Sequence, residues 1–172
     1  MNEPFYELPG PWSGRLAVVP RPRGGDWLED DIRAVRSRGV DVLVSLLTAQ
    51  EVAELGLAAE EELSGTLGIE YLTFPIEDRG VPSSISDAAE LTNTIARYLS
   101  EGRAVALHCR SGIGRSTVLA ACVLVGAGIS VDQAFQRIES ARGCDVPDTP
   151  EQRAWVTRFA QESAKTPRRA AS

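Results

Sequence analysis

The sequence predicts an α/β protein: a single-domain, three-layer fold whose central, mostly parallel sheet is flanked by helices. Short β-branched runs alternate along the chain with longer segments of helical periodicity, the order typical of layered folds with parallel strands. The run 40–46 is apolar on both of its alternating faces, as expected of a strand that helices cover on both sides. At 172 residues the chain fits one domain with a substantial core. We assign 1–164 to one folded domain and expect 165–172, which is small, polar and basic, to be a disordered tail.

The first half of the domain is predicted to hold three strands. The first strand, 15–19, precedes a turn rich in Pro, Arg and Gly and then a helix. The remaining elements are, in order, that helix over 27–37, the buried strand 40–46, acidic helical segments over 48–66, a strand over 69–74 and an exposed loop over 75–82. Gly80 and Pro82 interrupt any regular structure in this loop.

The second half places a conspicuous loop at the end of a buried strand. Its elements are a helix capped by Ser83, Ser84 or Ser86 that runs to residue 99, a strand over 104–107, a loop over 108–116, and helices over 117–125, 131–141 and 150–164. Ligands of parallel α/β sheets bind at the carboxyl ends of the strands, which is where 108–116 lies. This loop is therefore the candidate functional site.

Charge and composition argue against several kinds of partner. The formal net charge of −6 disfavours broad adhesion to nucleic acid or anionic lipid, both of which reward basic surfaces. No apolar run approaches the roughly 20 residues that cross a bilayer, and the N-terminus lacks a basic start followed by an apolar stretch. We expect a cytoplasmic monomer with no nucleic-acid or membrane partner. The segment 39–78 carries several Glu but no Lys or Arg, and we interpret it as a solvated helix face.

The loop after Leu107 has the residues needed to hold a tetrahedral dianion. Gly112 and Gly114 let the backbone bend so that successive N–H groups point inward as an anion-binding nest. The helix that follows adds its unsatisfied N–H groups and the positive end of its dipole, and Arg115 offers a planar fork for two phosphate oxygens. The same donors stabilise a thiolate, so we expect Cys109 to be ionised at neutral pH.

His108 is the only histidine of the chain. Neighbouring residues of a strand point to opposite faces, so its ring should lie away from the thiol of Cys109, and a Cys-His dyad is disfavoured. One histidine also leaves no credible zinc or two-metal cluster. We therefore expect phosphoryl transfer without metal or other cofactor. Arg115 and backbone amides would stabilise the negative charge of the phosphoryl oxygens, which a metal ion stabilises in other enzymes.

The run His108-Cys-Arg-Ser-Gly-Ile-Gly-Arg-Ser116 resembles the signature of the protein tyrosine and dual-specificity phosphatases: His-Cys, five residues, then Arg followed by Ser or Thr. The likeness extends over about 15–160. Within this family the sequence is similar to the kinase-associated, cyclin-dependent-kinase-inhibitor-3-like branch. It implies a phosphoprotein phosphatase that forms a phosphocysteine at Cys109. No counterpart is seen of the Lys-Asn-Arg-Tyr segment that deepens the pocket of tyrosine-specific enzymes. Phosphotyrosine, phosphoserine and phosphothreonine are therefore all implied, whereas the lysines of phosphoinositide phosphatases are missing.

The resemblance also implies roles for single residues. Asp78 matches the general acid that protonates the leaving oxygen and then deprotonates the hydrolytic water, with neighbouring Glu77 as the rival and a turn-forming aspartate as the simpler interpretation. Ser116 matches the hydroxyl that hydrogen-bonds the sulfur, and it also suits a helix cap. His108 matches the buried histidine that orders the loop. The phosphate ligands implied are the loop residues Arg110, Ser111, Gly112, Ile113, Gly114 and Arg115.

Three residues keep two interpretations. Gln152 matches the glutamine that positions water in some tyrosine phosphatases, but Thr149-Pro-Glu-Gln152 is also a helix-capping box with Pro at the first helical position. The side chain of Arg110 is expected to face outward rather than to bind the transferred phosphate, and there it would either tune the local field or also touch the substrate. Cys144 is either a redox partner of Cys109 or an ordinary loop cysteine, whereas Cys122 belongs to the core.

Two other functions remain open. A rhodanese-like sulfurtransferase also has an active cysteine in an amide-lined loop, but that loop is typically shorter and needs no upstream acid. A non-catalytic phosphate-binding interaction module would bind phosphopeptides without hydrolysing them. The joint presence of Cys109, Asp78 and Arg115 favours the phosphatase, whose substrate would be a phosphorylated protein or a small phosphoester.

Overall fold

Five strands form one sheet in the computed structural model, which describes residues 4–165. The strands are β1 (Tyr6–Leu8), β2 (Arg15–Val18), β3 (Val42–Ser45), β4 (Glu70–Thr73) and β5 (Ala104–His108), in the spatial order β1-β2-β5-β3-β4. β1 pairs antiparallel with β2, and every other pair is parallel. The mostly parallel sheet is thus confirmed, whereas β1 was not predicted, because three residues beside a proline carry no readable alternation.

Seven α-helices lie within the described residues. They are α1 (Leu28–Ser37), α2 (Ala49–Glu54), α3 (Glu60–Thr66), α4 (Ile85–Ser100), α5 (Arg115–Gly126), α6 (Val131–Arg142) and α7 (Pro150–Lys165). Of the three candidate serines, Ser84 caps α4, because its hydroxyl accepts from the amide of Asp87 at 3.1 Å. Lys165 ends α7, so the predicted tail does not begin there, and the rest of that tail, 166–172, lies outside the described residues.

The sheet separates two hydrophobic clusters and so makes the middle layer of three. On β5, Val105 and Leu107 face a cluster with α4, α5, α6 and α7, while Ala106 faces a cluster with α1 and the segments around α2 and α3. Helix α5 is buried from Arg115 to Leu124, which explains its lack of a polar face. The three-layer prediction is confirmed, and the burial of α5 holds its N-terminus firmly against the loop before it.

Within residues 4–165, no helix is both long enough and apolar enough to cross a bilayer. The cytoplasmic location, the monomeric state and the lack of a nucleic-acid partner stay predictions.

Candidate active site

The central strand brings Cys109 to the middle of the sheet's carboxyl edge. β5 lies between β2 and β3, both parallel to it, and ends at His108. Helix α5 begins at Arg115, so residues 109–114 form the connecting loop, called here the phosphate loop. Cys109 is only 2% exposed. The loop therefore lies where the sequence predicted it, at the end of a buried strand and the start of a buried helix.

Two hydrogen bonds converge on the sulfur of Cys109. The amide of Gly112 donates to Sγ at 3.3 Å, and the hydroxyl of Ser116 lies 3.3 Å from Sγ on the other side. The hydroxyl of Ser116 is fully buried. In the first contact the backbone amide is the donor, whereas in the second either the hydroxyl or the thiol can donate. The contact of Ser116 with the sulfur has the geometry that its predicted role requires.

The other amides of the phosphate loop are available for an anion. No described residue accepts a hydrogen bond from the backbone N–H of Arg110, Ser111, Ile113, Gly114 or Arg115. Gly114 and Arg115 are buried, and buried N–H groups that are left without partners cost free energy, so they are normally matched by a ligand or by water. Together with the N-terminus of α5 these amides form a site for a tetrahedral anion.

The two glycines of the loop are needed for different reasons. Gly112 has φ +71°, in the left-handed region, and so provides the bend that the sequence predicted. Gly114 has φ −97°, and its lack of a side chain matters instead for space, because an added Cβ would overlap the carboxylate of Asp148 and lie 3.1 Å from Nε2 of Gln152. Gly114 therefore allows a close approach between the loop and the start of α7, while its bending role stays a prediction.

Arg115 is buried and held by an acidic partner that the sequence did not reveal. Its Nη1 donates to Glu51 Oε2 at 2.7 Å and to the carbonyl of Ile76 at 2.8 Å, and its Nη2 donates to Glu51 Oε1 at 2.9 Å. This bond to Arg115 holds the pKa of the Glu51 carboxyl below its ordinary value. The same carboxylate accepts from the amide of Thr48 at 3.0 Å, which completes a capping box on α2. No described residue accepts a hydrogen bond from Nε of Arg115.

The prediction of a solvated face over 39–78 is wrong for two of its glutamates. Glu51 is 6% exposed and Glu60 is fully buried, because each of them pairs with a buried base from a distant part of the chain. The Thr48-x-x-Glu51 pattern was a readable capping signal. Nothing in the local sequence indicated that Glu51 also faces the phosphate loop.

Asp78 reaches the site from the loop that follows β4. Its Oδ1 accepts from Nη2 of Arg115 at 3.2 Å, and its side chain is 58% exposed. The loop turns at Arg79, which has φ +59°, and Glu77 before it is exposed. Of the two candidate acids, Asp78 therefore contacts Arg115, the predicted phosphate ligand, and no ion pair links Glu77 to any described residue.

Gln152 forms the predicted capping box and also donates a hydrogen bond to the loop that carries Asp78. Its Oε1 accepts from the amide of Thr149 at 3.2 Å, its own amide donates to the Thr149 hydroxyl at 3.2 Å, and α7 begins at Pro150. Its Nε2 donates to the carbonyl of Gly80 at 3.0 Å. Both ends of the buried side-chain amide are thus engaged, and its role in positioning water stays a prediction.

The ring of His108 lies on the opposite face of β5 from the thiol, as strand alternation predicted. Nδ1 is 3.4 Å from the carbonyl oxygen of Cys109, and Nε2 is 2.7 Å from Oε1 of Glu60. Neither Nε2 nor Oε1 has another polar partner among the described residues. Tyr71 donates its hydroxyl to the second oxygen of Glu60 at 2.9 Å. The backbone at Cys109 is therefore supported by a buried Tyr-Glu-His chain, of which only the histidine was predicted.

The remaining candidates occupy unremarkable places. The Arg110 side chain is 48% exposed and lies 3.9 Å from Glu51, which agrees with an outward-facing position, while Ser111 is exposed and Ile113 is half-buried. Cys122 is in the core, where burial raises its pKa strongly, and Cys144 is an exposed free thiol. Among residues 4–165, no group of three or more His, Cys, Asp or Glu is placed to hold a metal ion.

Comparisons with known proteins agree with this geometry. The family model described as "Polymorphic toxin system, DSP-PTPase phosphatase" matches residues 18–129. Cyclin-dependent kinase inhibitor 3 of Rattus norvegicus is 27% identical over 139 residues, which are 80% of this chain and 65% of that protein. Protein tyrosine phosphatase domain-containing protein 1 of Mus musculus is 28% identical over 165 residues, with 80% of this chain but 21% of that protein covered. The chain thus spans less than two thirds of the length of either relative.

Solved structures share the fold. A kinase associated phosphatase, whose catalytic-site cysteine was replaced by serine, superposes with a TM-score of 0.89 at 23% identity, over 96% of this chain and 98% of that one. A structure described as Tk-PTP in the active form has a TM-score of 0.71 at 27% identity, over 87% and 92%. PTPMT1 has a TM-score of 0.74 at 20% identity, over 94% and 99%.

Proposed function

The chain belongs to the DSP-PTPase phosphatase family, and we propose that it hydrolyses phosphotyrosine, and also phosphoserine and phosphothreonine, in phosphorylated proteins through a phosphocysteine at Cys109. The observation that carries the proposal is the sulfur of Cys109, which accepts from the amide of Gly112 at 3.3 Å in a loop whose other amides donate to no described residue. The free amides supply the site for the phosphoryl group, and the sulfur lies at its base as the nucleophile.

The first half of the reaction transfers the phosphoryl group to sulfur. The thiolate of Cys109 attacks phosphorus, the S–P bond forms, and the P–O bond to the substrate breaks. Asp78 donates its proton to the departing oxygen, so that an alcohol or phenol leaves rather than an anion. The loop amides and the guanidinium of Arg115 stabilise the negative charge on the oxygens of the phosphoryl group.

The second half returns the enzyme to its starting state. Asp78, now a carboxylate, takes a proton from water, which attacks phosphorus and breaks the S–P bond to release inorganic phosphate. The hydroxyl of Ser116, 3.3 Å from Sγ, stabilises the thiolate that leaves. Proton and charge balance over the cycle without metal or other cofactor.

Because Asp78 and the phosphate both bind Arg115, phosphate binding affects whether Asp78 stays hydrogen-bonded to this arginine. One nitrogen, Nη1, is committed to Glu51 and the carbonyl of Ile76, whereas Nη2 is shared between Glu51 and Asp78. A phosphate dianion that binds Nε and Nη2 competes with Asp78 for the guanidinium. Asp78 would then be released from its hydrogen bond to Arg115 and be free to reach the leaving oxygen of the substrate. Substrate itself thus prepares the acid for proton donation.

The choice of phosphoproteins as substrate rests on the relatives and on pocket depth. Two of the similar proteins carry tyrosine phosphatase or kinase associated phosphatase in their names. The missing pocket-deepening segment favours a shallow site that side chains shorter than phosphotyrosine can enter. A lipid headgroup substrate is disfavoured, because residues 110–114 contain no lysine.

The decisive experiment compares the wild-type chain with Cys109→Ser on p-nitrophenyl phosphate and on a panel of phosphopeptides, in the presence of EDTA. We expect turnover only in the wild type, and phosphopeptide binding in both. The matched control is Cys144→Ser, because Cys144 is exposed, and it should keep full activity. Undiminished hydrolysis by Cys109→Ser would overturn the covalent mechanism. Binding without hydrolysis in the wild type would favour an interaction module, and thiosulfate turnover would favour a sulfurtransferase.

A further inference from the structure

Arg142, the last residue of α6, contacts the phosphate loop from its outer side. Its Nε donates to the carbonyl of Gly112 at 2.8 Å, and its Nη2 lies 3.4 Å from the carbonyl of Ser111. These two carbonyls belong to successive peptide units of the loop. The guanidinium also packs over the ring of Tyr6 on β1, 4.1 Å from the ring centroid. Arg142 is therefore fixed on one side by an aromatic ring and on the other by the loop backbone.

The two contacts determine which way the loop amides point. In a trans peptide unit the C=O and N–H groups point in opposite directions. The unit between Ser111 and Gly112 shows this directly, because its oxygen faces Arg142 while its N–H donates to Sγ of Cys109 at 3.3 Å. The unit between Gly112 and Ile113 has its oxygen on Nε of Arg142. Its N–H, on Ile113, is consequently turned toward the phosphate side.

Arg142 also adds a positive charge beside the phosphate loop. The charge of Arg115 is already balanced by Glu51, with Asp78 beside it. By contrast, no described carboxylate forms an ion pair with Arg142. A hydrogen-bonded chain runs from its guanidinium through a peptide unit to the sulfur, and each member of such a chain polarises the next.

A helix-terminal arginine is often explained by the helix itself. Arginine at a helix C-terminus is favoured by the macrodipole and can bond to the last carbonyls of its own helix. Here Nε and Nη2 of Arg142 donate instead to carbonyls of the phosphate loop, 30 and 31 residues away in sequence. The helix alone does not account for that orientation.

We propose that Arg142 is a positioning residue of the phosphate site: it grips the carbonyls of Ser111 and Gly112 and thereby holds the amides of Gly112 and Ile113 toward sulfur and phosphate. It touches neither the sulfur nor the phosphoryl group and acts through the loop backbone. The inference rests on the proposed function only in its kinetic consequences, because the effect on anion binding holds whether or not the chain turns over substrate.

The test uses Arg142→Met, which keeps the apolar stem and removes the guanidinium. We expect a loss of about 10- to 100-fold in kcat/KM, the range for lost hydrogen bonds to a charged group. We expect the Ki of inorganic phosphate as a competitive inhibitor to rise by about tenfold, and the rate of Cys109 alkylation by iodoacetate at neutral pH to fall. The control is Arg137→Met, because Arg137 lies on the same helix and donates to the carbonyl of Pro9 at 2.9 Å instead.

A purely structural role would lower the melting temperature or the active fraction and leave phosphate affinity unchanged in the folded protein. Arg142→Met with a Ki for phosphate and a kcat/KM within twofold of Arg137→Met would overturn the proposal. If Arg142→Met does not fold, Arg142→Lys decides, because lysine keeps the charge but has no planar fork. Full kinetic restoration by lysine would contradict the two-carbonyl grip, and partial restoration is the expected result. Should the wild type show no hydrolysis, the proposed function fails, and direct binding of phosphate to the two methionine variants still decides the role of Arg142.

Discussion

Glu51 and Arg115, 64 residues apart in the chain, are joined by two parallel hydrogen bonds of 2.7 and 2.9 Å inside the protein. The pairing orients the guanidinium so that Nε and part of Nη2 remain for phosphate. It also makes the ionised form of Glu51 more favourable in the folded chain than in the unfolded one, because Arg115 lowers its pKa from the ordinary value of 4.5.

A pH-dependent contribution to stability follows from this pair. The folded pKa of Glu51 is depressed, so its contribution is present above pH 4.5 and is lost as the pH falls through the lower folded value. We expect Glu51→Gln to lower the free energy of unfolding most near neutral pH, and the difference from wild type to shrink below pH 4.5. Urea unfolding at a series of pH values measures this. Glu54→Gln is the control, since Glu54 is exposed on the same helix; an equal pH-dependence in both variants would contradict the assignment.

The assignment of the general acid predicts a dependence on the leaving group. Asp78→Asn should lower kcat by about 10²- to 10⁴-fold for alkyl and phenyl phosphates, and by less for p-nitrophenyl phosphate, whose leaving group needs little protonation. Glu77→Gln should leave both rates close to wild type, because Glu77 is exposed and Asp78 is the residue that contacts Arg115. If the two variants exchanged these behaviours, Glu77 would be the acid.

Glu60 and His108 form a buried pair behind the phosphate loop, and we expect a large loss of stability when Glu60 is removed. Removing one partner of a buried pair leaves the other without compensation, so we expect Glu60→Ala to cost about 3 kcal/mol or more in the free energy of unfolding. Denaturant unfolding of Glu61→Ala provides the comparison, with an expected change within about 0.5 kcal/mol for an exposed residue. A similar small change in Glu60→Ala would show that His108 does not depend on Glu60.

The two hydrogen bonds of the Gln152 side chain predict how its loss affects the two steps. Because Oε1 is engaged by Thr149 and Nε2 by Gly80, Gln152→Ala should lower stability by about 1–3 kcal/mol and slow chiefly the first step, in which Asp78 donates its proton. Rapid-quench kinetics should show no accumulated phosphocysteine. Thr149→Ala, which removes the cap but keeps the Gly80 contact, should retain more activity. A phosphocysteine burst in Gln152→Ala would instead indicate that the glutamine positions water.

The elements were predictable wherever burial imposes a local pattern. The β-branched run around β3 and the helix α5 could be identified because residues covered on all sides are apolar in sequence. β1 and the buried glutamates could not, because an edge strand of three residues and a charged side chain gain their stability from partners elsewhere in the chain. The same holds for Arg142, which reads locally as an ordinary helix terminus.

The sequence by itself determined the proposed chemistry of the loop: which cysteine is the candidate nucleophile, which arginine follows it, and which glycine bends the backbone, since all of these are neighbours in one short run. The tertiary structure alone decided what surrounds that run, namely Glu51 on Arg115, Glu60 on His108, Asp148 near Gly114 and Arg142 behind the carbonyls. The physical reason is that local conformation depends on adjacent residues, whereas the pairing of buried charges depends on which distant segments the folded sheet brings together.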